Sequence, residues 1–121
     1  MSEKISEFKE FREKMNEKIL EEKNLNINRF FNLDTRAYED GSLSSKTKEM
    51  LGLVASMVLK CDDCITYHIT RCKEEGVTRD EFFEVFNVAL IVGGSIVIPH
   101  MRRAVDLLEE LSDKSEESGK C

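Results

Sequence analysis

Apolar residues recur along this chain at helical rather than strand spacing. Ile5, Phe8, Met15 and Ile19 alternate with Glu and Lys, which predicts an amphipathic helix over roughly residues 3–23 with one solvated face. Asn24, Asn26 and Asn28 break the pattern, a short helix follows from about Asn28 to Tyr38, and Asp40-Gly41 marks a turn between Glu39 and Ser42. Ser44 is placed to cap a helix from about Ser45 to Lys60, whose later part, MLGLVASMVL, is apolar on nearly every side. The next helix runs from about Asp62 to Glu75 and stops at Gly76. Thr78 and Glu81 then form a capping-box signature for a helix from about Arg79 to Val92, whose FFEVFNVALIV is also apolar nearly all round. Gly93-Gly94-Ser95 interrupts it. Pro99 fits only the first turn of a last helix carrying Ala104, Val105, Leu107, Leu108 and Leu111, and residues 112–121 read as a frayed tail.

No segment alternates apolar and polar residues over strand length, so the fold class is all-α: a compact bundle of about six helices, with a central antiparallel hairpin of the third and fourth. At 121 residues the chain has material for one core, and residues 1–121 are expected to form a single domain with a flexible tail over 113–121. The two all-round apolar helices are hard to cover with one domain's own amphipathic helices. Part of their surface is therefore expected between subunits of a homo-oligomer.

Charge removes several classes of partner. With 24 acidic against 18 basic side chains, the net charge of −6 disfavours a phosphate-binding surface, so no nucleic-acid partner is expected. There is no ~20-residue apolar run to span a bilayer and no unbroken apolar stretch of a signal peptide at the start, which points to no membrane partner and a cytoplasmic location. In that compartment thiols stay reduced, so a close cysteine pair is expected to be catalytic or metal-binding rather than a structural staple.

The candidate chemistry lies in K-C-D-D-C-I-T-Y-H, residues 60–68. In a helix beginning near Cys61, the spacing i, i+3, i+7 sets Cys61, Cys64 and His68 along one face. Unsatisfied backbone N–H groups and the positive end of the helix dipole stabilise a thiolate there, while Asp62 and Asp63 oppose it by like-charge repulsion. His68 is the i+4 neighbour of Cys64, which marks Cys64 as the nucleophile and Cys61 as the thiol that closes a disulfide with it. Glu49 lies 12 residues before Cys61, about 18 Å along a continuous helix, so it approaches the site only if the chain folds back. In an antiparallel hairpin it falls opposite residues 68–72, where a carboxylate orients His68 or relays its proton. The same four residues are also acceptable ligands for structural Zn²⁺, although three ligands on two turns of one helix are awkward to arrange tetrahedrally. Cys72 reads as a small apolar filler, and Cys121 as incidental.

The pattern E-x11-C-x2-C-x3-H, as Glu49, Cys61, Cys64 and His68, lies within KTKEMLGLVASMVLKCDDCITYHI and is followed by EEGVTRDEFFEVFNVALIVGGS. Over about residues 43–100 this resembles the alkylhydroperoxidase D-like branch of the carboxymuconolactone decarboxylase family. The resemblance implies an all-helical fold assembled as trimers or hexamers. It implies a dithiol peroxidase that acts on a peroxide or disulfide without cofactor or metal, fed by a dithiol reductant such as a lipoylated protein. On the matching positions Cys64 is peroxidatic, Cys61 resolving, and His68 with Glu49 a proton relay. The better-known peroxidases of this branch carry a second histidine just before the second cysteine, where this chain has Asp63. The decarboxylase branch lacks the cysteine pair.

Overall fold

A computed structural model describes the backbone of residues 3–119 and the side chains of residues 4–112. The side chains of the expected tail over 113–121, Cys121 among them, lie outside the described residues. Among the described residues there are six α-helices, one 3-10 turn and no strand, in agreement with the all-α reading.

The chain divides into two units, Met1–Glu39 and Asp40–Cys121. The first holds α1 (Glu3–Glu21) and α2 (Leu25–Ala37). α2 begins at Leu25 rather than near Asn28 because Asn24 is its N-cap: Asn24 Oδ1 accepts a hydrogen bond from the Ile27 amide at 3.1 Å. A residue type that breaks one helix here starts the next, since a short polar side chain competes for backbone donors wherever a helix leaves them open.

The second unit holds α3 (Ser45–Val58), α4 (Asp62–Glu74), α5 (Arg79–Gly93), a 3-10 turn at Ser95–Val97 and α6 (Ile98–Gly119). Local chemistry starts α3 and α5. Ser44 Oγ accepts from the Thr47 amide at 3.1 Å. Thr78 Oγ1 accepts from the Glu81 amide at 3.2 Å while Glu81 Oε1 accepts from the Thr78 amide at 2.8 Å, a complete capping box. α3 packs against α4 and α5, and α4 also packs against α6. Between α3 and α4 the chain reverses through Lys60, whose φ of 59° is a left-handed conformation uncommon for a residue with a side chain. The Cys61 amide donates back to the Ser56 carbonyl at 3.0 Å, tying the reversed chain to the helix it has just left.

The core of this unit is built from i, i+4 pairs. Leu53 and Met57 of α3, Ile65 and Ile69 of α4, and Phe82 and Phe86 of α5 are buried, and Ala104 and Leu108 of α6 join them. Each pair lies on one helix face, and each large side chain removed from water stabilises by roughly 1.5–3 kcal/mol. On the opposite faces of α3 and α5, among the described residues, Leu51, Val88, Ile91 and Val92 are exposed, Ile91 at 87%.

α5 ends on two glycines with separate jobs. At Gly94 φ is +79°, a left-handed conformation that closes the helix. At Gly93 a Cβ would lie 2.5 Å from Cγ2 of buried Val97, so the 3-10 turn can fold against α5 only if that position has no side chain. Gly93→Ala should lower the free energy of unfolding by about 1–2 kcal/mol in urea titration, the overpacking cost exceeding the gain in helix propensity.

Candidate active site

The start of α4 is shaped by its own sulfur. Cys61 is the N-cap, in extended conformation, and its Sγ accepts a hydrogen bond from the Cys64 amide at 3.3 Å. The i, i+3 spacing brings the two Cα atoms to 5.3 Å, and Cys61 and Cys64 are joined as a disulfide. Cys61 is half-buried and Cys64 exposed, so the two sulfurs differ both in access and in their relation to the helix dipole.

One turn further along α4, His68 is buried and its Nδ1 lies 2.9 Å from Oε1 of Glu49. A carboxylate only accepts, so Nδ1 donates to it, which leaves Nε2 as the ring nitrogen that can take up or release a proton. The Tyr67 ring packs edge-on to the imidazole at 5.2 Å. Glu49 is 1% exposed, and it reaches His68 because α3 and α4 run antiparallel, placing the second turn of α3 beside the middle of α4.

The second oxygen of Glu49 exposes a residue that sequence reasoning missed. Arg71 Nε lies 3.5 Å from Glu49 Oε2, and the same guanidinium donates to Glu74 at 2.6 Å and to Glu75 at 3.1 Å. The bond to Glu74 raises the pKa of Arg71; burial opposes it, and the charge of Glu49 adds to it, so the cation is held firmly. The signal was present in the spacing, since Arg71 is the i+3 neighbour of His68 on α4. A carboxylate removed from water needs such partners, because an uncompensated buried charge costs several kcal/mol.

Cys72, next along α4, is fully buried within the core and is a free thiol. Burial, then the nearby charge of Glu49, pushes its pKa up to about 12, so it stays protonated and inert, consistent with an apolar filler. Asp62, read in the sequence only as a charge opposing a thiolate, has partners of its own. Its Oδ1 accepts from His100 Nδ1 at 2.8 Å and its Oδ2 from Arg103 Nη1 at 3.1 Å, both from α6. Among the described residues, no three His, Cys, Asp or Glu side chains converge in an arrangement that would hold a metal ion. No helix among them is long and apolar enough to cross a membrane.

Comparison with known proteins agrees with this architecture. The chain matches the carboxymuconolactone decarboxylase family over residues 27–107, more than half its length, and it belongs to that family. Two crystal structures of TM1620 from Thermotoga maritima, a family member with a suggested part in antioxidative response, superpose with TM-scores of 0.89 and 0.87. They are 56% and 55% identical to this chain, cover 92% and 95% of it, and are each matched over 97% of their own length. The apo structure of lpg0406, a family protein of Legionella pneumophila, has a TM-score of 0.83 at 27% identity, covering 92% of this chain and 99% of its own. An uncharacterised protein of the cox locus of Paracoccus denitrificans is 27% identical over 82 residues, 68% of this chain and 74% of that protein.

The environment of Cys72 gives a pH dependence. Its pKa is raised in the folded state from an ordinary value of 9.0, so folding is favoured below about pH 9 and that contribution is lost as pH rises toward 12. Cys72→Ala should therefore flatten the alkaline decline of stability by up to about 1.4 kcal/mol per pH unit above pH 9, read from urea titrations at several pH values. In the native wild-type protein, Cys72 should resist iodoacetamide until the chain unfolds.

Proposed function

We propose that this chain is a thiol-dependent peroxidase of the alkylhydroperoxidase D-like kind, an oxidoreductase cycling Cys61 and Cys64 between dithiol and disulfide. The observation that carries this reading is the buried Glu49–His68 contact one turn behind Cys64, on the same helix face as a cysteine pair within bonding reach. His68 Nε2 takes the proton of the Cys64 thiol, and Glu49 steadies the imidazolium that forms. The Cys64 thiolate attacks one peroxide oxygen; the O–O bond breaks, Cys64 becomes a sulfenic acid, and the leaving alkoxide collects the proton. The Cys61 thiolate then displaces hydroxide from that sulfur, forming the disulfide and, with a second proton, water.

The two sulfurs suit opposite halves of the cycle. Cys64 is exposed and accessible to a peroxide or to an incoming thiolate, whereas Cys61 Sγ receives the helix-start amide that stabilises negative charge. In the reductive half, a dithiol partner attacks Cys64 and expels Cys61 as the better leaving group. A lipoylated protein has the required chemistry, because its two thiols close their own disulfide as the pair here is reduced. The suggested antioxidative role of TM1620 supports the same direction. With Asp63 standing where related peroxidases carry a second histidine, proton traffic falls on His68 with Glu49. A cytoplasmic location supplies the reducing background that such a cycle needs.

On zinc-assayed protein, one equivalent of cumene hydroperoxide should remove two thiols and yield a Cys61–Cys64 bond by mass mapping. Cys64→Ser should abolish peroxide turnover, while Cys61→Ser should accumulate sulfenic acid on Cys64. Stoichiometric zinc with unreactive thiols would instead favour the reading as a metal-stabilised, non-catalytic helical assembly protein.

We further propose that the chain works as a homo-oligomer, a trimer or hexamer. Support comes from the exposed apolar residues of α3 and α5, where Leu51, Val88, Ile91 and Val92 would cost solubility if left to water. Light scattering should give a multiple of the 121-residue chain mass, and Ile91→Glu should shift the population toward the monomer.

A further inference from the structure

α6 reaches the dithiol through a carboxylate that the mechanism above does not use. Asp62 is the first residue of α4, directly after Cys61, and both its oxygens are occupied by α6 donors: His100 Nδ1 at 2.8 Å and Arg103 Nη1 at 3.1 Å. His100 is half-buried, with its side chain 17% exposed, whereas those of Asp62 and Arg103 are 47% and 61% exposed. A carboxylate beside a cysteine pair favours the protonated thiols, and a bound cation offsets that effect. Among the described residues, the charged and titratable groups on the pair's own segment are Lys60, Asp62, Asp63, Tyr67 and His68. Glu49 reaches it from α3 through His68, and His100 and Arg103 reach it from α6. Of the two acids in this first turn, Asp62 is the one tied to a second helix.

We infer that His100 and Arg103 are positioning residues for the redox pair: by clamping Asp62 they offset its charge and fix the helix start, keeping the Cys61 and Cys64 thiols acidic and their disulfide readily reduced. The inference rests on the dithiol reading of the site, but it concerns thiol acidity rather than peroxide turnover. The electron balance is that of thiol–disulfide exchange. Two electrons and two protons pass from a dithiol such as dithiothreitol, which closes its own disulfide, to the Cys61–Cys64 bond, which opens to two thiols. Stabilising the thiolates favours the reduced side.

The test compares wild type, Arg103→Gln, His100→Gln, their combination, Arg103→Lys and Asp62→Asn. The readouts are iodoacetamide alkylation of the reduced pair from about pH 6 to 10 and the equilibrium with dithiothreitol. The combined variant should move the alkylation midpoint upward by about half to one unit, slowing reaction at neutral pH about threefold to tenfold. Its dithiothreitol equilibrium should shift toward disulfide. Arg103→Lys should restore most of the wild-type profile, and Asp62→Asn should move the midpoint downward. A simple staple between helices would lower the melting temperature and leave the midpoint and the equilibrium unmoved, which would overturn the inference, as would an unmoved midpoint in Asp62→Asn. Absence of peroxide turnover in wild type would count against the proposed function alone, since neither readout contains peroxide.

Discussion

A carboxylate removed from water constrains the second unit of this chain more than any other single group. Glu49 is almost wholly buried on α3, and desolvating it is tolerable only because His68 and Arg71 of α4 meet its two oxygens. Hydrophobic packing between α3 and α4 is non-directional and would accept neighbouring registers at modest cost. The Glu49 contacts accept one register only. They fix how far α4 has travelled along α3, and hence where the cysteine pair at its start sits relative to the end of α3. Arg71 extends the constraint outward to Glu74 and Glu75, so the buried charge joins a network that ends in solvent.

The helix start adds a second layer of electrostatics. Its N-cap is a sulfur rather than the usual hydroxyl or carboxamide, so the atom that closes the helix is also the atom that would bear charge in redox chemistry. Three cysteines on one helix consequently have three characters. Cys61 is tied to the helix dipole, Cys64 is open to solvent, and Cys72 is sealed in the core with its proton held. The same chemical group is made a charge acceptor, an accessible sulfur or a packing element by its depth and its partners.

Family membership and structural likeness to TM1620 agree with this architecture, and the exposed apolar residues of α3 and α5 concern a different scale of organisation. An isolated chain with Ile91 and Val92 in water leaves unspent the hydrophobic drive that its sequence carries. The Cys61–Cys64 disulfide and these exposed apolar residues belong to the same unit of the chain.

Sequence by itself determined the helices and much of the site, because both are governed by interactions between residues a few positions apart. Ser44, the Thr78–Glu81 box and Gly76 act within one turn, and the C-x2-C-x3-H spacing places its side chains on one face of any helix that forms there. Asn24 carried a local signal too, but as a breaker and a cap at once its meaning depended on which side the helix lay. Tertiary structure alone decided that Arg71 shares Glu49 with His68, that Asp62 is held by His100 and Arg103, and that Gly93 must lack a side chain for Val97 to close against it. Those pairings depend on the register and rotation of whole helices. Such quantities are set by the summed fit of the core and by the need to partner each buried charge, and no local spacing encodes them.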